Sequence, residues 1–323
     1  MGYGAAGWVR VLARVVLTGP GVRDADLPGV GAHPQRSTAR PVTAVRGWRS
    51  FAVVQAQFAT VHAVVGGIRH DLVADRSGYI DSVLPAALTP GWHDVELVTA
   101  DGRTAVVPVI VIGSATRFGV VSDIDDTVMV TRLPRPLIAA WNTFVRHDSA
   151  REPVPGMADF YRHAFMAQGD VPVVYLSTGA WNSAPAIGRF LRRHGYPTGP
   201  LLLTAWGPTN TGWFRSGAEH KRASLRRLLT EFPGIRWVLV GDDGQRDPQI
   251  YAEVARERPE RVRAVVIRRL TGAEQVLAHG APGPLPGTTT AEARTQSSAV
   301  PLVQGTDGMA LLRAWTTQEL ALG

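Results

Sequence analysis

The spacing of apolar positions changes near residue 113 and divides the chain in two. Before this point, short runs that alternate apolar and polar residues are separated by Gly, Pro and Asp, as in FAVVQAQF, TVHAVVGG and GYIDSVLP. Such alternation is typical of half-buried strands, and TADGRT has the composition of a hairpin turn. We expect about seven strands, arranged as a small β-sandwich over residues 41–115.

The first 40 residues begin with an apolar stretch, GWVRVLARVVLTGPGV, that is interrupted by Arg10, Arg14 and Gly19-Pro20. This pattern fits an amphipathic helix or a strand rather than a signal peptide. We assign residues 1–40 to an N-terminal helix and linker segment that packs against the protein's own core. Its Arg and Trp residues would also suit a membrane surface.

After residue 113, continuous apolar runs alternate with helical patterns. The runs are FGVVS, VPVVYLS, PLLLT, RWVLVG and VRAVVI. They are typical of parallel strands buried on both faces, so residues 116–323 predict a doubly wound α/β domain. Residues 278–298 predict a loop, and the last segment predicts a short strand and a terminal helix. The other predicted helices are Pro136–His147, Pro155–Gln168, Ser183–His194, Glu219–Phe232 and Pro248–Glu257.

Composition narrows the possible functions. The chain has 323 residues, no cysteine and a net charge of +7. The missing cysteine excludes disulfides, thiolate catalysis and Cys-ligated zinc. A basic surface favours nucleic acid, acidic lipid or phosphorylated partners, although Arg-rich usage can also reflect genome composition. No apolar run approaches the ~20 residues of a membrane span. We expect a cytoplasmic protein, with peripheral membrane contact as an alternative, and leave the oligomeric state open.

Acidic clusters follow two of the predicted core strands. DIDDT, residues 123–127, follows GVVS, and DDGQRD, residues 242–247, follows RWVLVG. Ligands of open α/β sheets bind at the carboxyl ends of strands, so neighbouring strands would bring the clusters together. Buried carboxylates repel one another, and a cation offsets that cost; all-oxygen ligands favour Mg²⁺. The alternative is that these aspartates cap helices and form turns.

Two further polar groups follow the same logic. Ser177, Thr178 and Gly179 come after VPVVYL and could bind a phosphate oxygen at a helix N-terminus, although a simple N-cap is the alternative. Lys221, near the start of the helix EHKRASLRRLL, is the only lysine in the sequence. A compact ammonium fits a crowded site that the planar guanidinium does not. Its retention therefore supports a site role, although chance would also explain it.

Taken in order, four motifs resemble those of the haloacid-dehalogenase-like superfamily: Asp123-x-Asp125-x-Thr127, Ser177, Lys221, and Gly241-Asp242 with Asp243 and Asp247. More closely, FGVVSDIDDTV, YLSTGAWN, HK and LVGDDGQRDPQIY resemble the catalytic domain of actin-patch-protein-type phosphatidate phosphatases, a family with many bacterial members. The chain departs from that family at Asp243, where Ser is usual, and at Gly179-Ala180, where Ser-Pro is usual. Neither change removes a core catalytic group.

The resemblance implies a phosphatase that forms an aspartyl-phosphate. Asp123 would be the nucleophile and Asp125 the general acid and base. Ser177 would hydrogen-bond the phosphoryl group, and Lys221 would balance its charge and that of Asp123. Thr178, Gly179 and Thr127 would help to bind the substrate and to fix the loop.

A Mg²⁺ cofactor is also implied by the resemblance. Its ligands would be Asp123, Asp242 and the backbone carbonyl of Asp125, with Asp243 and Asp247 behind them. Asp247 would hold Lys221 or a metal-bound water, and Asp243 would add negative charge near the metal.

The substrate is predicted from access to the site. The intervals between motifs are too short for a large cap, so the site would admit a bulky substrate, unless the β-domain covers it. The loop Trp206–Arg215 combines aromatic residues with Arg and suits either a membrane interface or a domain boundary. We expect phosphatidate or a related lipid phosphate. A soluble phosphomonoester, a phosphorylated macromolecule, or phosphate binding without catalysis remain alternatives; no nucleic-acid motif is recognisable.

Overall fold

The computed structural model describes residues 1–17, 54–130, 151–204, 213–272, 274–275 and 300–320. The predicted helix Pro136–His147, the predicted loop 278–298 and most of the loop Trp206–Arg215 lie outside them. Contacts divide the chain into one unit built on Met1–Ala115 with Gly179–Ile187, and a second unit that contains the other described residues. No helix in the described ranges is long and apolar enough to cross a membrane.

The first unit is a seven-stranded sheet whose strands lie in the order β6-β5-β8-β9-β1-β2-β7. Neighbours with a defined register pair antiparallel, except for the parallel pair β1 and β9. The edge strands β6 and β7 contact each other and share one apolar core, so the sheet is rolled on itself. The strands are β1 (Gly2–Ala5), β2 (Gly7–Arg14), β5 (Thr60–Val65), β6 (Ile68–Val73), β7 (Tyr79–Ala86), β8 (Gly91–Thr99) and β9 (Thr104–Ile112); β3 (Val16–Leu17) and β4 (Val54–Gln55) form a separate pair.

Residues 2–14 correct the expectation for the N-terminus. They form strands β1 and β2 within this sheet instead of a helix. The pattern of β2 has a period of two: Val9 and Val11 are buried, while Arg10 between them pairs with Asp81 on β7. The strands also form one rolled sheet, whereas a sandwich of two sheets was expected.

The second unit contains a six-stranded sheet in the order β12-β11-β10-β13-β14-β15. Its registered neighbours are all parallel. Chain order reverses between β10 and β13, so the carboxyl ends of these two strands border a crevice where α/β sheets bind ligands. The five predicted runs are confirmed as β10 (Phe118–Ser122), β11 (Val173–Ala180), β12 (Leu201–Thr204), β13 (Arg236–Asp242) and β14 (Val262–Arg268), and the predicted C-terminal strand is β15 (Leu302–Gly305).

Five helices accompany this sheet in the described ranges. One of them differs from its prediction: it begins at Trp213 and not at Glu219, so Lys221 lies in its middle. Gly217, which precedes the predicted start, lies inside this helix, where its missing side chain lets the helix pass close to Thr178; a Cβ would lie 3.0 Å from Thr178 Cγ2. The helices are α1 (Met157–Ala164), α2 (Ala184–Arg193), α3 (Trp213–Glu231), α4 (Asp247–Glu257) and α5 (Gly308–Thr317).

Alanine substitutions at two glycines of this unit should change the free energy of unfolding in opposite directions. Gly119→Ala should lower the free energy of unfolding by about 1–3 kcal/mol through overpacking, because the new Cβ would lie 2.5 Å from Cζ3 of buried Trp237. Gly188→Ala in α2 should raise it by about 0.5–1 kcal/mol, because alanine is the better helix former and the nearest atom is 3.5 Å away. Urea unfolding compares them, and effects of the same sign would contradict this packing.

Candidate active site

The pairing of β10 with β13 brings the two acidic clusters together. Ser122 lies opposite Val240, and the backbone N–H of Asp123 donates to Val240 over 2.8 Å. Asp123 therefore leaves the sheet beside Asp242, the last residue of β13. Asp247, the first residue of α4, joins them, and one carboxylate oxygen from each of the three lies within 4.8 Å of the others. All three side chains are buried. We call these three residues the acidic group.

Lys221 reaches into the acidic group from α3. Its Nζ donates to Asp123 Oδ1 over 2.7 Å and to Asp247 Oδ1 over 2.6 Å, and its side chain is 3% exposed. Burial lowers the pKa of Lys221, but the charges of Asp123 and Asp247 outweigh it and raise the pKa above its usual value. The lysine is therefore held as a cation between two carboxylates.

One lysine does not balance the acidic group. Burial raises the pKa of Asp123 well above its usual value against the opposing effect of Lys221, and nearby carboxylates add to the rise. Burial, followed by the charges of Asp247 and Asp123, raises the pKa of Asp242 in the same way. The site therefore favours an additional positive charge.

Two oxygens of the acidic group are available to a metal. Asp242 Oδ1 accepts from the Gly244 N–H over 2.7 Å, while Asp242 Oδ2 and Asp247 Oδ2 are buried without a hydrogen-bond partner among the described residues. Unpaired buried carboxylate oxygens are costly. A set made only of carboxylate oxygens suits a hard divalent cation. The acidic group therefore fits a divalent metal. Asp247 makes the contact with Lys221 that the resemblance implied, and its second oxygen lies within reach of the same ion as Asp123 and Asp242.

Asp125 lies beside the acidic group with a different set of contacts. Its Oδ2 accepts from Ser177 Oγ over 3.1 Å, and its Oδ1 has no partner in the described ranges. Burial raises the pKa of Asp125, opposed by the Ser177 hydrogen bond and by the charge of Arg151. Thr127 Oγ1 donates to Asp123 Oδ2 over 3.3 Å, so Asp123 receives donors on both oxygens.

Two predicted residues lie elsewhere than at the expected strand-to-helix turn, and a third, Asp243, lies outside the acidic group. Gly179 and Thr178 lie within β11, which continues to Ala180, and not at a helix N-terminus. Asp243 is outside the acidic group: its Oδ1 accepts from the Leu270 N–H over 2.7 Å, and its Oδ2 lies 3.6 Å from Arg269 Nε. The Asp243 carboxylate therefore binds the turn that follows β14.

Two buried arginines near these residues were not predicted from the sequence. Arg268 ends β14, and Arg151 lies close enough to Asp125 to influence its charge. Arg268 carries a signal, because it lies directly after the apolar run VRAVVI at the carboxyl end of a strand, in the same position as other site residues. For Arg151 the sequence pattern gives no such signal.

Neighbouring aspartates offer a matched test of metal binding. Loss of a residue that only hydrogen-bonds a metal ligand typically weakens metal binding by ~10–100-fold. In protein treated with EDTA, Asp242→Asn should weaken Mg²⁺ binding by more than this, because it removes a negative charge from the acidic group itself. Asp243→Asn should change binding by less than about threefold, because that carboxylate faces Leu270 and Arg269. Titration calorimetry measures both. Equal losses in the two variants would show that the ligands are wrongly assigned.

Comparison with known proteins finds sequence matches for the part of the chain that carries this site. Residues 118–269 match the family model described as phosphatidate phosphatase APP1, catalytic domain. An uncharacterized protein of Schizosaccharomyces pombe is 30% identical over 158 residues, which are 46% of this chain and 24% of that protein. Phosphatidate phosphatase APP1 of Saccharomyces cerevisiae is 26% identical over 151 residues, which are 46% of this chain and 25% of that protein. The chain thus spans about a quarter of each relative's length.

Solved structures add little. A carbohydrate acetylesterase from Xanthomonas citri is 13% identical, with 81% of this chain and 69% of that chain covered, at a TM-score of 0.28. So low a score supports no conclusion about fold or function. The family match, by contrast, spans the acidic group and Lys221. Residues 118–269, which carry the candidate active site, are thus similar to the APP1 catalytic domain.

Proposed function

We propose that the chain is a Mg²⁺-dependent phosphatase that hydrolyses phosphatidate or a related lipid phosphate. The observation that carries the proposal is the buried acidic group around Lys221 at the carboxyl ends of adjoining parallel strands. The family match supports the reaction and the substrate class. The strand order supports a doubly wound, haloacid-dehalogenase-like catalytic domain over residues 116–323, preceded by a β domain that begins at the first strand.

Asp123 is the nucleophile in this proposal. An oxygen of its carboxylate forms a bond to phosphorus while the bond from phosphorus to the ester oxygen breaks, which leaves an aspartyl-phosphate. Lys221 and Thr127 orient the carboxylate through its two oxygens. Lys221 also offsets the negative charge that Asp123 and the phosphate bring together.

Asp125 moves the proton. It gives a proton to the leaving alkoxide and takes one from the water that then attacks phosphorus, so the bond from phosphorus to Asp123 breaks and free phosphate is released. Ser177 holds Asp125 Oδ2, which leaves Oδ1 to face the proton acceptor. Ser177 can also donate to a phosphoryl oxygen once Asp125 no longer holds its hydroxyl.

A metal ion fits the acidic group. Asp123, Asp242 and Asp247 would hold Mg²⁺ together with the backbone carbonyl of Asp125, and the bound ion would supply positive charge to the phosphoryl oxygens. The net charge of +7 would favour approach to an acidic lipid surface, and we propose peripheral contact with the membrane on that ground.

The experiment measures phosphate release with and without Mg²⁺ from phosphatidate vesicles and from a panel of soluble phosphomonoesters. Asp123→Asn is the control for contaminating phosphatases. We expect release from the vesicles that requires both Mg²⁺ and Asp123. Release from soluble esters alone would reject the lipid substrate, and no release from any compound would reject the enzyme and leave phosphate binding.

A further inference from the structure

Arg268 is a buried arginine that the proposed reaction does not use. It ends β14, the strand next to β13, and only 2% of it is exposed. Each of its three guanidinium nitrogens donates to a different segment: Nη1 to the Asp126 carbonyl over 2.8 Å, Nε to the Thr306 carbonyl over 3.2 Å, and Nη2 to Glu274 Oε1 over 2.6 Å. The side chain thus ties the turn after β10 to the segments that follow β14 and β15.

The Asp126 carbonyl belongs to a left-handed turn between site residues. Asp126 has φ 56°, in the left-handed region that L residues other than Asn and Asp rarely adopt. Its N–H donates to the Met129 carbonyl over 2.8 Å, and the Val128 N–H donates to the Ile124 carbonyl over 3.0 Å. The Asp126 carbonyl lies between Asp125 and Thr127 in the chain. The hydrogen bond from Arg268 to this carbonyl therefore opposes movement of the turn that carries both side chains.

Arg268 is itself held in place on the opposite side. Glu274 Oε2 accepts from the Thr271 N–H over 2.9 Å, and the Glu274 N–H donates to Thr271 Oγ1 over 3.4 Å. This reciprocal pair has the form of a capping box. It fixes the carboxylate that orients the guanidinium and balances its charge.

We propose that Arg268 is a positioning residue that holds the turn Asp125–Thr127 in the geometry in which Asp123 and Asp125 act. The planar fork of arginine reaches three separated acceptors through three different nitrogens, which the single ammonium of a lysine cannot reproduce. The kinetic consequence rests on the proposed phosphatase function, whereas the structural consequence does not.

Hydrogen–deuterium exchange tests the structural consequence without any need for activity. Arg268→Gln should speed exchange of peptides covering residues 123–130 by about tenfold or more, because local opening of the turn becomes easier. Peptides of α3 and α4 should not change. The matched control is Arg226→Gln, which removes an arginine from an exposed pair with Glu257 and should leave residues 123–130 unchanged. Unchanged exchange in Arg268→Gln, or equal acceleration throughout the unit, would overturn the proposal.

Kinetics on the same variants tests the catalytic consequence. Arg268→Gln should lower kcat by about 10–100-fold and leave KM within about threefold of the parent value. Displacement of a reacting group slows the chemical step more than it weakens substrate binding. Arg268→Lys keeps the charge and should recover only a small part of kcat. If Arg268→Gln does not fold, Arg268→Lys decides both measurements by the same criteria. A kcat within about threefold of the parent would overturn the proposal. If the parent releases no phosphate, the proposed function fails, and the exchange result still decides the role of Arg268.

Discussion

Replacement of Asp123 by asparagine is expected to lower phosphate release by about 10⁴-fold or more, because an amide oxygen does not act as the nucleophile and no aspartyl-phosphate forms. The same change should not destabilise the metal-free protein. Burial raises the pKa of Asp123 well above its usual value, so its ionised form opposes folding near neutral pH. Asparagine removes that charge and keeps an oxygen that accepts from Lys221. The loss of function should therefore come with equal or greater stability.

Thermal unfolding in EDTA, measured beside the kinetic assay, tests both parts of this prediction. The control is Asp243→Asn, which changes a neighbouring carboxylate outside the acidic group and should keep most of the activity. If Asp123→Asn kept more than about a tenth of the parent rate, Asp123 would not be the nucleophile. A large fall in its melting temperature without metal would instead contradict the electrostatic reasoning.

Changes at Lys221 are expected to be nearly as damaging. Lys221→Ala leaves two buried carboxylates without their cation and should cost about 3–5 kcal/mol of stability as well as activity. Lys221→Arg keeps the charge, but the guanidinium is larger and planar, and the ammonium that it replaces lies within 2.7 Å of two carboxylates. We expect its activity to fall nearly as far as that of the alanine variant.

The control for Lys221 is the opposite exchange one residue along α3. Arg222 pairs with Glu253 at a partly exposed position, where Arg222→Lys should change little. Rates of phosphate release from phosphatidate vesicles and urea unfolding compare the three variants. If Lys221→Arg kept most of the activity, the lysine would not have been retained for its shape, although its place in the site could stand.

The strands that carry the site were predictable because each is a continuous apolar run, and a buried parallel strand requires that pattern. The main site residues were predictable because they are the polar positions at the end of each run, as with Asp123 after β10 and Asp242 at the end of β13. The N-terminal strands were harder to predict. A short stretch such as GWVRVLAR fits both a helical and an alternating pattern, and only its partners on β1 and β7 decide between them.

The missed features depend on contacts between segments that are distant in sequence. The membership of Asp247 in the acidic group depends on the start of α4, which places its carboxylate beside Asp123. The role of Arg268 depends on a backbone carbonyl of Asp126, 142 positions away, and no side-chain pattern encodes a carbonyl. The close approach of α3 to Thr178 depends on the space that Gly217 leaves there. Apolar periodicity therefore predicted the strands and the place of the candidate site residues at their ends, but not the contacts that orient those residues.

The most direct test is phosphate release from phosphatidate vesicles by protein stripped with EDTA, measured before and after Mg²⁺ is restored, with Asp242→Asn beside the parent. We predict no release from the stripped parent, full release once Mg²⁺ returns, and little release from the variant under either condition, because the proposed mechanism requires the acidic group to hold the metal. Equal release by parent and variant, or release that does not depend on Mg²⁺, would contradict the assignment of this site.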